Sequence, residues 1–157
     1  MDRIMNMAQA AHFAQELARS SQRLVLTNGH FDLLHVGHLD YLEKARALGD
    51  ALLVGVNGDR ATQHLKGSGR PIVPAAERAR LLAALRPVDA VVIFQEDTAH
   101  ALIEATRPPL YVKGGDYAAK PLPERALVES YGGQVVLIDL LPERSTSALI
   151  AKIRSLP

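Results

Sequence analysis

The chain contains no cysteine and no tryptophan. The first absence excludes disulfides, thiolate metal ligands and a cysteine nucleophile, and it is neutral about redox compartment. The second, with aromatic residues at only 4%, argues against the stacking platforms that hold single-stranded nucleic acid. A surplus of one charge is missing too. Formal net charge is +1, so no global field gathers DNA, RNA or an anionic membrane, and any phosphate ligand must be held locally. No apolar run approaches the length of a membrane span. Gln9, His12, Gln15 and Glu16 interrupt the apolar residues near the N-terminus, which therefore does not read as a signal peptide. Repeats, low-complexity tracts and flexible linkers are also lacking. The expectation is a cytoplasmic protein of 157 residues with a single core.

What is present alternates. Ile4, Met7, Ala8, Ala11, Leu17 and Ala18 share one face of a leading helix over 4–19, so residues 1–22 read as a helical lead-in and 23–157 as the main domain. Apolar runs at 23–27, 51–56, 88–94, 110–112 and 134–140 read as buried strands. Helices are expected at 36–48, after Pro74, at 98–106, at 122–131 and after Ser145, the last with Leu149, Ile150 and Ile153 on its inner face. The strands are solid rather than alternating, so both sheet faces are covered. That pattern is an α/β fold, a Rossmann-like, doubly wound parallel sheet of five strands, with the order 3-2-1-4-5 expected. Such sheets bind ligands at the carboxyl ends of their strands. The polar and glycine-rich stretches 28–38, 57–70, 113–117 and 141–147 all fall there.

The first of these stretches carries His30, Asp32, His35, Gly37 and His38. His35 and His38 are three apart at a helix start, so they share a face. Gly37 leaves the backbone open to close approach. Helix amides and dipole favour an anion at this point, and two imidazoles would add donors to charge developing on a phosphoryl group. Three other readings compete. In one the histidines serve only as caps; in another they and Asp32 are legitimate zinc ligands; and in the third a dinucleotide site belongs at such a turn. The segment lacks the His-Glu-x-x-His, Gly-x-Gly-x-x-Gly and Gly-Lys-Ser/Thr patterns that would mark zinc, dinucleotide or phosphate-loop sites.

Residues 27–38 resemble the His-x-Gly-His signature of the cytidylyltransferase-like nucleotidyltransferases. Val56-Asn57-Gly58-Asp59, Leu65-Lys66-Gly67, Val112-Lys113-Gly114-Gly115-Asp116-Tyr117 and Arg144-Ser145-Thr146-Ser147 extend the resemblance over about 23–154. These segments are most similar to the adenylyltransferase domains that act on D-glycero-β-D-manno-heptose 1-phosphate. One position departs: His30 stands where that branch usually has Cys and where glycerol-phosphate cytidylyltransferases usually have Thr.

The resemblance implies transfer of an adenylyl group from ATP to a sugar 1-phosphate with release of pyrophosphate, assisted by magnesium carried with the triphosphate and not fixed by the protein alone. It makes His35, His38 and Lys66 the catalytic candidates, with Lys66 in a loop bridging both phosphates. Asn28, Gly29, His30, Phe31, Gly37, Lys113, Gly114, Ser145, Thr146 and Ser147 are expected at the nucleotide. Asp32, Asp59, Arg70, Arg78 and Asp116 are expected at the acceptor; Arg78 taken alone reads equally as an exposed helical arginine. Asp32 fits a ligand hydroxyl, a histidine or magnesium equally well. CTP with glycerol 3-phosphate, or a similar small phosphate, is the alternative substrate pair. A nucleotide-binding sensor without turnover is the alternative of another class. A homodimer and a separate upstream sugar kinase complete the expectation. His12, His64 and His100 lie off the motif and receive no role.

Overall fold

β-Branched and leucine-rich runs form the strands because both their faces are buried, and the helices between them cover those faces. The computed structural model describes residues 2–115 and 120–157. Asp116, expected at the acceptor, and Tyr117, quoted for the resemblance, lie outside the described residues. The strands are β1 (Ile4–Met5), β2 (Leu24–Gly29), β3 (Ala51–Asn57), β4 (Ala90–Phe94), β5 (Leu110–Gly114) and β6 (Gln134–Ile138). The helices are α1 (Met7–Arg19), α2 (Val36–Arg46), α3 (Asp59–Lys66), α4 (Ala75–Ala83), α5 (His100–Thr106), α6 (Arg125–Ser130) and α7 (Thr146–Arg154). All pairings are parallel, in the order β1-β4-β3-β2-β5-β6. The five expected strands keep their expected order, and the short β1 is added at one edge.

Successive strand residues feed opposite layers. Leu24, Leu26, Leu53, Val92 and Phe94 pack with α1, α5 and α6 residues such as Ala10, Ala14, Leu102 and Val128. Val25, Leu52, Val54, Val56 and Val91 pack with Leu42 and Ala45 of α2 and Ala79 and Leu82 of α4. This is the two-sided core that the solid apolar runs require.

Three expectations are corrected. The leading helix begins at Met7, not residue 4. Ile4 and Met5 pair with Val91 and Val92 instead, and Asn6 with Gln9 forms a reciprocal capping box at the helix start. The lead-in is therefore integral to the sheet and its core. Second, Lys66 is not in a loop: it is the last residue of α3, a polar helix ended by Gly67 at φ 97°. The expected helix after Pro74 is present as α4, and its first free amide, Ala75, is capped from a distance by the Asp59 carboxylate at 2.7 Å. Third, α7 buries none of its residues. Leu149 and Ile150 are half-buried, and Ile153 is 59% exposed. β6 is the sheet edge and offers α7 little wall to pack on.

Candidate active site

The chain leaves β2 through Phe31, which adopts a left-handed φ of 49°. Its ring is buried, with the His38 ring centroid 5.3 Å away. That uncommon backbone turns the segment over the sheet edge and sets α2 pointing its N-terminus at the strand ends. His35 is the N-cap of α2, in extended conformation. Its Nδ1 accepts from Gly37 N at 3.1 Å, and His38 Nδ1 accepts from His35 N at 3.4 Å. Capping and ligand binding are therefore compatible here. Each ring uses Nδ1 as acceptor, so the neutral ring carries its proton on Nε2 and can still donate. The rings stack with centroids 3.9 Å apart. Burial, and then its neighbour His35, pushes His38 down to about 4; burial and then Arg144 lower His35. Both rings are neutral donors at pH 7.

Gly37 has a sharper reason than phosphate approach. A Cβ there would stand 2.9 Å from the His35 ring and 3.0 Å from Arg144 Cβ. Gly114 is alike: a Cβ would meet Leu140 at 2.5 Å and Tyr41 at 3.0 Å. These glycines let side chains from α2 and the segment before α7 converge.

They converge on a cleft of about 320 Å³ at the carboxyl ends of β2 and β5. It is lined by His35, His38 and Lys66, by all ten residues expected at the nucleotide, and by Asp32 and Arg70. Among the described residues, Lys66, Arg70, Lys113 and Arg144 stand against one carboxylate, Asp32, so this part of the lining is cationic although the chain is nearly neutral. Lys113 is half-buried and donates to Asn28 O at 3.2 Å and Oδ1 at 3.4 Å; burial lowers its pKa most, Glu124 opposes this and Lys66 adds to it. Ser145 caps α7 through Ala148 N, and Thr146 Oγ1 donates to Leu33 O. The start of α7 thus stands beside the start of α2 at the cleft.

Some expected ligand residues hold the scaffold. Asp32 is buried and accepts from Ile72 N, Val73 N and Arg70 Nε, the last at 2.5 Å. Burial opposes ionisation, but these donors prevail and leave its pKa lowered. Its lone pairs are used, so it orients Arg70 and the 70–73 segment. Arg78 and Asp59 do not line the cleft. Arg78 is fully buried and donates to the carbonyls of His30, Asn57 and Val73 and, at 2.7 Å, to Asp59. It braces the ends of β2 and β3 from behind the site. Tyr41, Leu140 and Arg144 line the cleft without having been singled out. Tyr41, three residues after His38 on one helix face, and Arg144, directly before the Ser145 cap, were within reach of spacing arguments. Leu140 carried no such signal.

The cytidylyltransferase-like family model matches residues 26–151, which contain every residue of this cleft. The chain belongs to that family. This cytidylyltransferase-like chain is 49% identical over 153 residues to the bifunctional protein HldE of Geotalea uraniireducens, covering 98% of the chain and 31% of the relative. It is 54% identical over 134 residues to the bifunctional protein HldE of Koribacter versatilis, covering 85% and 28%. The chain thus spans about a third or less of the length of these curated relatives. A lipopolysaccharide core biosynthesis protein from Thermoplasma volcanium superposes with TM-score 0.64 at 25% identity, over 76% of this chain and 97% of that one. The pantoate–β-alanine ligase of Francisella tularensis, solved with a β,γ-ATP ligand and β-alanine, superposes with TM-score 0.65 at 14% identity, over 94% and 69%, which is a likeness of fold.

Proposed function

We propose that the chain transfers an adenylyl group from ATP to a sugar 1-phosphate, D-glycero-β-D-manno-heptose 1-phosphate being the acceptor of choice. The observation that carries this reading is the convergence of neutral histidine donors, two helix N-termini and four cations on one cleft. The HldE likeness and the resemblance of the Lys113–Gly115 segment to heptose adenylyltransferase domains support the choice of acceptor.

In this reading an acceptor phosphate oxygen attacks the α-phosphorus. The bond from that phosphorus to the α,β-bridging oxygen breaks, and pyrophosphate leaves with the electron pair. No covalent enzyme intermediate is needed, so the protein aligns two anions and stabilises the transition state. His35 and His38 donate from Nε2 to the triphosphate, joined by the free amides at the starts of α2 and α7. Lys66 and Arg70 offset the repulsion between the two substrates.

Among the described residues no group of three His, Cys, Asp or Glu side chains is placed to hold a metal ion. Asp32 is already committed to Arg70 and two amides. In this reading magnesium comes with the triphosphate and would lower its charge. Among the described residues no helix is long and apolar enough to cross a membrane. A cytoplasmic setting, as the substrates require, and a homodimer belong to the proposal.

The test is a matrix of ATP and CTP against heptose 1-phosphate and glycerol 3-phosphate, with pyrophosphate release measured. ATP with heptose 1-phosphate is expected to give the highest kcat/KM. A higher value for CTP with glycerol 3-phosphate selects the cytidylyltransferase alternative, and nucleotide binding without turnover of any pair selects the sensor.

A further inference from the structure

One face of the sheet changes character within two residues. Leu24 and Leu26 of β2 and Tyr111 of β5 belong to the core layer under α1, α5 and α6, and Leu26 lies beside Tyr111 in the sheet. Strand side chains return to the same face every second residue. Asn28 and Lys113 therefore continue this face, and both line the cleft. Tyr111 is fully buried, yet its ring ends in a hydroxyl. Taking a hydroxyl into such a place is unfavourable unless it is hydrogen-bonded. This one donates to Asn28 Oδ1, at the cleft wall.

The same oxygen accepts from Lys113. Its Nζ lies 3.4 Å from Asn28 Oδ1 and 3.2 Å from Asn28 O. An ammonium only donates, so the carboxamide atom that faces Lys113 is the oxygen. An amide oxygen only accepts, which fixes the direction of the Tyr111 bond as well. The two donors fill both lone pairs of Oδ1. Nδ2 then faces Asn57 Oδ1 at 3.5 Å. Asn28 O is held by the β2 backbone, but Oδ1 moves with the side chain. The β3 neighbour of Asn28 is Gly55, which has no side chain to steady it. Without the Tyr111 donor, rotation of the carboxamide turns its N–H groups toward the ammonium. A lysine is a point charge on a flexible stem, so its place depends on the oxygens offered to it. Lys113 is held by an oxygen that Tyr111 holds in turn.

We infer that Tyr111 is a positioning residue: through the Asn28 carboxamide it sets the place of the Lys113 ammonium in the cleft, and with it the affinity for nucleotide. The inference rests on the proposed function in setting Lys113 at the nucleotide.

The experiment is a double-mutant cycle of Tyr111→Phe, which removes only the hydroxyl, with Lys113→Met, read as kcat and KM for ATP. Tyr111→Phe is expected to raise KM about five- to tenfold, the scale of one hydrogen bond, with kcat nearly unchanged. Lys113→Met should raise KM at least as much, and adding Tyr111→Phe to it should change KM no further. The same fold-change in both backgrounds overturns the inference, because the hydroxyl then acts elsewhere. A folded Tyr111→Phe with wild-type KM overturns it too, as does Lys113→Met with wild-type KM. A second readout needs no variant. In NMR spectra of the wild-type protein, the Tyr111 hydroxyl proton and the Lys113 ammonium protons should both show cross-peaks to the Asn28 carboxamide. A Lys113 ammonium in free exchange with water overturns the inference. Calorimetry of ATP binding without a sugar phosphate repeats the cycle independently of turnover. Coupled binding with no sugar phosphate turned over sinks the transfer reading and leaves the role of Tyr111 standing. Turnover with an uncoupled cycle sinks the role of Tyr111 alone.

Discussion

Two helices begin at the cleft, and they are supported very differently. α2 buries Gly37, Tyr41, Leu42 and Ala45, and its Tyr41 hydroxyl is tied to Thr27 at 2.5 Å and to Val112 O at 3.0 Å. α7 buries nothing, and its links to the rest include one hydrogen bond from Thr146 and the partial cover of Leu149 and Ile150. The residues asked to meet developing charge stand on the rigid helix, where a displacement of 1 Å is costly. The residues proposed at the triphosphate from the start of α7 stand on the sparsely packed one, where local opening takes little free energy. The cleft thus pairs a fixed jaw with an adjustable jaw.

The largest expected effect breaks the fixed jaw. His38→Ala removes a preorganised donor and should lower kcat by about 10²–10³ while the melting temperature stays close to wild type. Steady-state kinetics beside a thermal melt checks this, and a normal turnover number removes His38 from the chemistry. Gly37→Ala tests the same jaw without touching a donor. The added methyl displaces the His35 ring, and kcat should fall by up to about 10², with folding retained. A pH titration follows. His30 and His38 have folded pKa values of about 4, against 6.5 in an unfolded chain. The unfolded state binds more protons between these limits, so stability is full above about pH 6.5 and declines as pH falls toward 4. Denaturant unfolding across that window should show the slope in wild type, and a shallower one in His38→Ala. The smallest effect belongs to α7. Ser145→Ala removes its cap, worth about 1 kcal/mol. Because so little else holds this helix, the loss should appear as faster amide exchange confined to α7 and a several-fold higher KM for nucleotide, with the global melt barely moved. A global drop in stability would mean that α7 is no looser than α2.

The same contrast governs what could be read in advance. The sheet order and the α2 site were legible because buried strands are continuous apolar runs and because the His30–His38 segment concentrates polar groups where a parallel sheet binds ligands. Features set by distant neighbours were not. β1 is two residues long, and Ile4 and Met5 continue a helical spacing, although the Asn6–Gln9 capping box marked the true start. α3 was hidden by the glycines that follow it. The inner face expected for α7 assumed a wall that an edge strand does not provide. Arg78 resembles any helical arginine until His30, Asn57, Val73 and Asp59 are seen to surround it. Asp32 had three plausible duties in sequence, and the amides of Ile72 and Val73 with Arg70 identify another, the holding of the segment that carries Arg70. His30 is the subtlest case. Its identity was visible, but its Nδ1 partner, Thr62 at 2.9 Å, is brought to it only by the fold.

The most direct test of the account is ³¹P NMR of the protein incubated with magnesium, ATP and heptose 1-phosphate. The account predicts paired resonances of a sugar nucleotide diphosphate growing in step with pyrophosphate, at equal amounts and with no orthophosphate. Inorganic phosphate with ADP, or unchanged spectra at protein concentrations that bind ATP, would contradict it.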